Sequence, residues 1–333
     1  MGDFSGFENV FESGKSLTAS EIGVSAENAS AAQRPIILAT RGSALALVQA
    51  KEVQELLEKE LEKRKIDRAV ELSIIKTHGD KDRVHALVSI GGKGLFVRSI
   101  EEELIAGRAD IAVHSGKDLP YDLADGLTIA GVPKAADFRD VLIFRNDLTI
   151  DDLRKMSSPV IGTGSPRRRI EIKRMLPGAN FKENRGNIPT RIRKLREGQF
   201  DAILLAQAGL DRLPMDLSDL TVHPLPTEEC LPAACQGILA AECREEDEEM
   251  ADLLRAISDS DSRMRFLMER TLFTAMKADC SMAVGAHAEL LPGDSVRLTA
   301  MYEGRRAAAT ANICEWRAAA ENLAQKVMER SEE

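Results

Sequence analysis

Two short stretches of this 333-residue chain place arginines where a helix is about to begin. Ile161-Gly162-Thr163-Gly164-Ser165 runs into Pro166-Arg167-Arg168-Arg169, and Asn184-Arg185-Gly186-Asn187 runs into Ile188-Pro189-Thr190-Arg191. Each reads as a strand end, a tight turn, a cap residue (Ser165, Asn187) and a proline in the first helical turn. The N–H groups at a helix start favour anions, and guanidinium groups add bidentate recognition of carboxylates. Arg167, Arg168, Arg185 and Arg191 lie nearest those starts, whereas Arg193, Lys194 and Arg196 read as a solvated helix face. The bland alternative is a set of surface ion pairs worth about 0–1 kcal/mol each. Two such sites so close together point instead to a small polyanion in a shared cleft.

Three further segments carry chemistry. His114-Ser115-Gly116-Lys117-Asp118-Leu119-Pro120 follows a buried strand, and open α/β sheets place ligands at the carboxyl ends of their strands. A carboxylate there, beside a lysine, is fit to stabilise a developing cation or to accept N–H bonds; a turn cap is the competing reading. Thr77-His78-Gly79-Asp80 through Gly91-Gly92-Lys93-Gly94-Leu95-Phe96 resembles a phosphate loop but lacks the required Ser or Thr after its lysine. A mobile loop with a glycine hinge is the better reading. Cys280, in Lys277-Ala278-Asp279-Cys280-Ser281, follows a helix with a lysine nearby, a setting that can give thiolate character, although most lone cysteines are core residues.

Composition narrows the classes. Net charge is −9, so local basic clusters speak for small anions rather than a nucleic-acid surface. Aromatics make up only 4%, too few for base-stacking platforms. The five cysteines are odd in number, form no CxxC pair and lack zinc spacing, so no metal site is expected and a reducing cytoplasm is. No apolar run is long enough to span a membrane, and residues 1–34 lack the pattern of a secretory signal. Those residues read as a disordered extension.

The elements that must position these residues alternate. Strands are expected at Ile36–Thr40, Val70–Lys76, Asp110–His114, Leu127–Val132 and Val141–Arg145, with helices at Ala44–Glu62 and Leu95–Ala106. A second block reads strand 159–163, helix 166–176, strand 180–184, helix 189–197, strand 201–206 and a short helix ending near Leu213. Such alternation with short connections predicts parallel sheets covered by helices, in two α/β domains joined by extended segments near 133–139 and 225–237. Domain one is expected over 35–133 and 238–257, and domain two over 139–231. Residues 260–333 change texture: a long helix, three strand-like runs and a final amphipathic helix predict an α+β domain with a small antiparallel sheet.

Several motifs occur in one order: Ala39-Thr40-Arg41-Gly42-Ser43-Ala44-Leu45-Ala46-Leu47, Gly91-Gly92-Lys93-Gly94-Leu95-Phe96, the Asp118 segment, Arg185-Gly186-Asn187 and Leu231-Pro232-Ala233-Ala234-Cys235-Gln236-Gly237. In that order, across residues 35–330, the chain resembles the porphobilinogen deaminase (hydroxymethylbilane synthase) family. The resemblance implies two domains like those of periplasmic binding proteins plus the α+β domain. It also implies one covalent dipyrromethane cofactor per chain, held by a thioether to Cys280. Four porphobilinogen molecules would be joined head to tail on it with loss of ammonia, and water would then release hydroxymethylbilane, a step of tetrapyrrole and heme biosynthesis.

By the same resemblance Asp118 is the catalytic carboxylate. Arg41, Ser43, Asp80, Ser115 and Lys117 would line the cofactor and substrate cleft from one side. Thr163, Ser165, Arg167, Arg168, Arg185, Arg191, Arg212 and Gln236 would complete it, with Lys93 and Phe96 on the loop. A cytoplasmic monomer acting on a small molecule, with no nucleic-acid or membrane partner, is implied; a carboxylate-binding protein without turnover is the alternative. Some positions depart from the usual pattern: Gly116 stands where methionine is usual, Gly164 for serine, Pro189 for glycine and Ser89 for lysine. Ala278-Asp279 precedes Cys280 where two glycines are usual.

Overall fold

A computed structural model describes residues 34–75, 94–278 and 282–329. The first sheet takes β1 (Ile36–Arg41), β2 (Val70–Ile75), β3 (Ile111–Ser115) and β4 (Leu127–Gly131), and recovers β10 (Leu239–Arg244) from much later in the chain. Its order is β2-β1-β3-β10-β4. Helix α1 (Ala44–Arg64) begins at Ser43, whose hydroxyl accepts from the Ala46 N–H, and ends where Lys65 turns left-handed at φ 58°. Its Val53, Leu57 and Leu61 are buried against the sheet, as their spacing predicts. Helix α2 (Gly94–Ile105) packs on the same sheet through Ile100 and Leu104.

The second sheet is ordered β7-β6-β8-β5-β9. Its strands are β5 (Asp140–Arg145), β6 (Val160–Gly162), β7 (Asn180–Lys182), β8 (Ala202–Ala206) and β9 (Leu220–Pro224). Helices α3 (Ile150–Lys155), α4 (Pro166–Met175), α5 (Ile188–Arg196) and α6 (Gln207–Arg212) connect them. Then α7 (Glu248–Ala256) follows β10, and α8 (Ser260–Ala275) leads to the antiparallel strands β11 (Val284–Leu291), β12 (Ser295–Tyr302) and β13 (Arg305–Asn312). Helix α9 (Trp316–Met328) closes that sheet, burying Leu323 and Val327 with Leu272, Val296 and Leu298. Fully burying side chains of this size favours the folded state by about 1.5–3 kcal/mol each.

The expectation of parallel sheets is corrected. In each sheet one central strand runs against its neighbours: β10 is antiparallel to β3 and β4, and β5 is antiparallel to β8 and β9. Both are the strands entered from a crossing segment, so the chain arrives at the opposite end from a helical crossover. Helix α3 and strand β9 were not read from the sequence, being only six and five residues long.

At the crossing the two segments bind each other through backbone. The Ala136 N–H donates to the Gly237 carbonyl at 3.1 Å. Gly237 has φ +86°, and a β-carbon there would sit 2.6 Å from the Ala136 carbonyl oxygen. Both the conformation and the space demand glycine. Gly237→Ala is expected to lower unfolding free energy by about 2–4 kcal/mol, read from the urea midpoint; an unchanged midpoint would show that the crossing tolerates a side chain.

Candidate active site

Asp140, the first residue of β5, has no solvent exposure. Its carboxylate accepts from Arg167 Nη1 at 2.6 Å, from Arg168 Nη2 at 2.6 Å and Nε at 3.1 Å, and from Gln236 Nε2 at 2.9 Å. Burial alone pushes this carboxyl up, but the guanidinium groups of Arg167 and Arg168 outweigh it and hold Asp140 well below the usual carboxylate range. Arg167 also donates to the Leu231 carbonyl and Arg168 to the Leu204 carbonyl. Gln236 donates to the Phe138 carbonyl as well, and its amide oxygen accepts from Lys117 Nζ at 3.3 Å. A continuous polar path thus runs from the Lys117 turn of the first domain, through the crossing, to the start of α4 in the second.

Asp118 ends the 3-10 turn Gly116–Asp118, which continues directly from β3. Two contacts fix the turn's base: the Gly116 N–H donates to the Ile238 carbonyl at 2.9 Å, and Ser115 is hydrogen-bonded to Gln49 of α1 at 2.9 Å. On the facing wall, Arg191 lies in the first turn of α5, and its Nε donates to the Gly186 carbonyl at 2.8 Å. Burial, with the like charges of Arg168 and Arg185, pulls the Arg191 guanidinium below its ordinary value, while Asp118 of the other domain opposes that fall.

The remaining expected residues divide by what holds them. Thr163 is buried and its hydroxyl accepts from the Ser165 N–H at 3.2 Å; Ser165 in turn caps α4, and Ser43 caps α1. Arg41 closes β1. Arg185 is exposed and paired with Glu183 at 2.6 Å. Arg212, expected in the ligand shell, reaches from α6 to Glu52 of α1 at 2.9 Å and so bridges the two domains. Arg167, Arg168 and Gln236 are likewise engaged with protein partners around Asp140. Asp80, Lys93 and Cys280 lie outside the described residues, as do Ser89, Asp279 and the side chain of Phe96.

Asp140 and Glu52 were missed in the sequence. The available signal was a charged residue opening an otherwise apolar strand, Asp140-Val141-Leu142-Ile143-Phe144, because a carboxylate entering a core requires a cation. Glu52 offered no such signal on an amphipathic helix. Among the described residues no group of His, Cys, Asp and Glu is arranged to hold a metal, and no helix is long and apolar enough to cross a membrane.

Residues 36–252 match the family model described as porphobilinogen deaminase, dipyromethane cofactor binding domain. The chain belongs to the porphobilinogen deaminase family. It is 44% identical over 268 residues to the porphobilinogen deaminase of Streptococcus sanguinis (strain SK36), covering 80% of this chain and 85% of that one. The corresponding enzyme of Sulfurimonas denitrificans (strain ATCC 33889 / DSM 1251) is 38% identical, covering 80% of this chain and 83% of that one. Among solved structures, the chain is similar to an ancestral cationic amino acid solute binding protein at 14% identity and a TM-score of 0.42, covering 67% of this chain and 87% of that one. Family membership makes this chain a transferase of tetrapyrrole biosynthesis with a dipyrromethane-binding domain.

The buried charge cluster makes a pH prediction. A carboxyl whose folded pKa is depressed adds stability that is complete above its unfolded value, about 3.9, and is lost as pH falls below it. Asp140→Ala is expected to cost about 3–5 kcal/mol by leaving two guanidinium groups uncompensated in the interior. Asp140→Asn should flatten the stability-against-pH profile on the acid side of that value. Urea melts over a pH series check both, and an unaltered acid limb would remove Asp140 from the account.

Proposed function

We propose that this chain joins porphobilinogen units head to tail onto a dipyrromethane held through Cys280, with Asp118 as the catalytic carboxylate. The observation that supports this most directly is the hydrogen-bonded path from Lys117, beside Asp118, through Gln236 to Asp140 and the two arginines that open α4. A cleft with one fixed carboxylate and facing guanidinium groups matches a pyrrole chain, which carries N–H donors along its ring edge and carboxylates on its side chains. The donor set therefore fits the cofactor. When bound, the dipyrromethane supplies the free pyrrole carbon at which chain growth starts.

Asp118 would accept a hydrogen bond from the N–H of the reacting pyrrole and stabilise positive charge on it as the amino group of its aminomethyl arm leaves as ammonia, the methylene staying on the ring. Held beside Asp118, that methylene would be placed to bond the free ring carbon of the growing chain, with loss of the proton that carbon carries. Arg41, Lys117, Arg185 and Arg191 would neutralise acetate and propionate groups. Arg167, Arg168 and Gln236 would act one layer behind, by holding the start of α4 against Asp140. Ser43, Ser115, Thr163 and Ser165 would fix the turns, and Arg212 would set the approach of the domains through Glu52. Asp80, Lys93 and Phe96 are proposed to act from the loop.

Domain boundaries at 35–133 with 238–257, at 139–231 and at 260–333 are part of the proposal, as are a cytoplasmic location and a monomeric state. The unpaired, buried thiols of Cys230, Cys235 and Cys243 support a reducing compartment.

Intact mass of the purified protein should show the addition of one dipyrrole, and an unmodified mass would remove Cys280 as the anchor. Asp118→Ala should retain that addition while turnover falls by roughly 10²–10³; normal turnover would exclude Asp118 as the catalytic group. Arg191→Ala should raise KM by about ten- to a hundredfold, the worth of one hydrogen bond to a charged group. An unmoved KM would place the substrate carboxylates elsewhere.

A further inference from the structure

The turn that carries Asp118 starts with a glycine whose missing side chain is the notable feature. A β-carbon at Gly116 would lie 2.9 Å from the Cys235 β-carbon, and 3.3 Å from both the Cys235 and the Ile238 carbonyl oxygens. Backbone surrounds the position on two sides, so no flexible side-chain tip can give way. Cys235 has the complementary anomaly. Its φ of +59° is the left-handed conformation, where a residue with a β-carbon is disfavoured and glycine is not.

The cysteine is nevertheless held firmly there. Its N–H donates to Glu269 Oε2 of α8 at 2.6 Å, its carbonyl accepts from the Ile238 N–H at 3.3 Å, and its thiol packs beside Phe266. A side chain thus occupies a backbone conformation suited to glycine, and a glycine faces it where the turn would otherwise carry a side chain. The Gly116 N–H to Ile238 carbonyl bond ties the same two strands of chain together at 2.9 Å. Between the Asp118 turn and the crossing there is room for one β-carbon. Two do not fit.

We infer that the Cys235 side chain is a positioning residue for Asp118. Its β-carbon is the spacer that sets how closely the Gly116–Asp118 turn approaches the crossing, and Gly116 is the vacancy that admits it. The inference rests on the reading of Asp118 as the catalytic carboxylate. Thiol chemistry has no part in it: burial, and then the Glu269 carboxylate, push the Cys235 thiol well above its usual range. Volume at one carbon atom is what matters.

The test uses the full chain with its cofactor, assayed for kcat and KM with porphobilinogen and for thermal unfolding. Gly116→Ala should lower Tm and reduce kcat by roughly ten- to a hundredfold with little change in KM, the signature of a displaced catalytic group. Gly116→Ala/Cys235→Gly should recover most of both, because it moves the single β-carbon to the other side of the contact. Gly116→Ala/Cys235→Ala keeps both β-carbons and should stay impaired, which assigns the effect to volume and not to sulfur. Recovery by the glycine double variant alone supports the inference, even where Gly116→Ala by itself does not fold. Wild-type behaviour of Gly116→Ala, or a glycine double variant no better than the single, overturns the pairing. Coupled Tm values with unaffected kcat overturn the positioning role; Asp118→Ala then shows whether the catalytic reading stands, by losing turnover or keeping it.

Discussion

One buried carboxylate governs the geometry of the cleft. Asp140 stands where the chain passes from the first domain into the second, and its partners arrive from α4 and from the returning crossing. Withdrawing an ion from water costs several kcal/mol, so Asp140 and its two guanidinium partners are stable only as a set. That requirement fixes where α4 begins, and with it the turn bearing Thr163 and Ser165. Through Gln236 it also reaches Lys117 beside Asp118. Each wall of the cleft is thereby referred to the same point.

The third domain grips this crossing from behind. Glu269 of α8 accepts from the N–H groups of Cys235 and Ala288 and lies 3.2 Å from His287 Nδ1, while His287 stacks on Phe138 with ring centroids 4.0 Å apart. The next residue, Arg270, donates to the Tyr121 carbonyl at 3.0 Å, just beyond the Asp118 turn. From β13, Arg306 donates to the carbonyls of Thr227 and Glu228. Cys280 follows α8 in the chain. The domain that would carry the cofactor is therefore attached to both crossing segments and to the stretch just after the turn holding the proposed catalytic carboxylate.

Much of this was legible in advance because it is local. Cap residues, prolines in first helical turns and apolar periodicity placed α1, α4 and α5 within a few residues of where they lie, and the change of texture after residue 260 marked the antiparallel sheet β11–β13. The two arginine-bearing turns do open helices, and Ser165 and Asn187 do cap them. The return of residues 238–257 to the first sheet was also met, as β10 between β3 and β4; what failed were the readings of strand direction and of what each arginine binds. Periodicity is the same for a strand run either way, so the antiparallel placement of β5 and β10 left no local mark. Arg167 and Arg185 look alike as members of basic turns, yet one is buried on Asp140 and the other is exposed beside Glu183.

By itself the sequence settled the kinds of element, the ends of most helices and the family, because capping, periodicity and ordered motifs are properties of neighbouring residues. Only the tertiary structure decided that Arg167, Arg168 and Arg212 brace the frame, since that depends on Asp140 and Glu52, remote in the chain from the groups they neutralise. It also decided that Gly116 and Cys235 form one contact. Steric exclusion between two backbones exists only after folding brings them together.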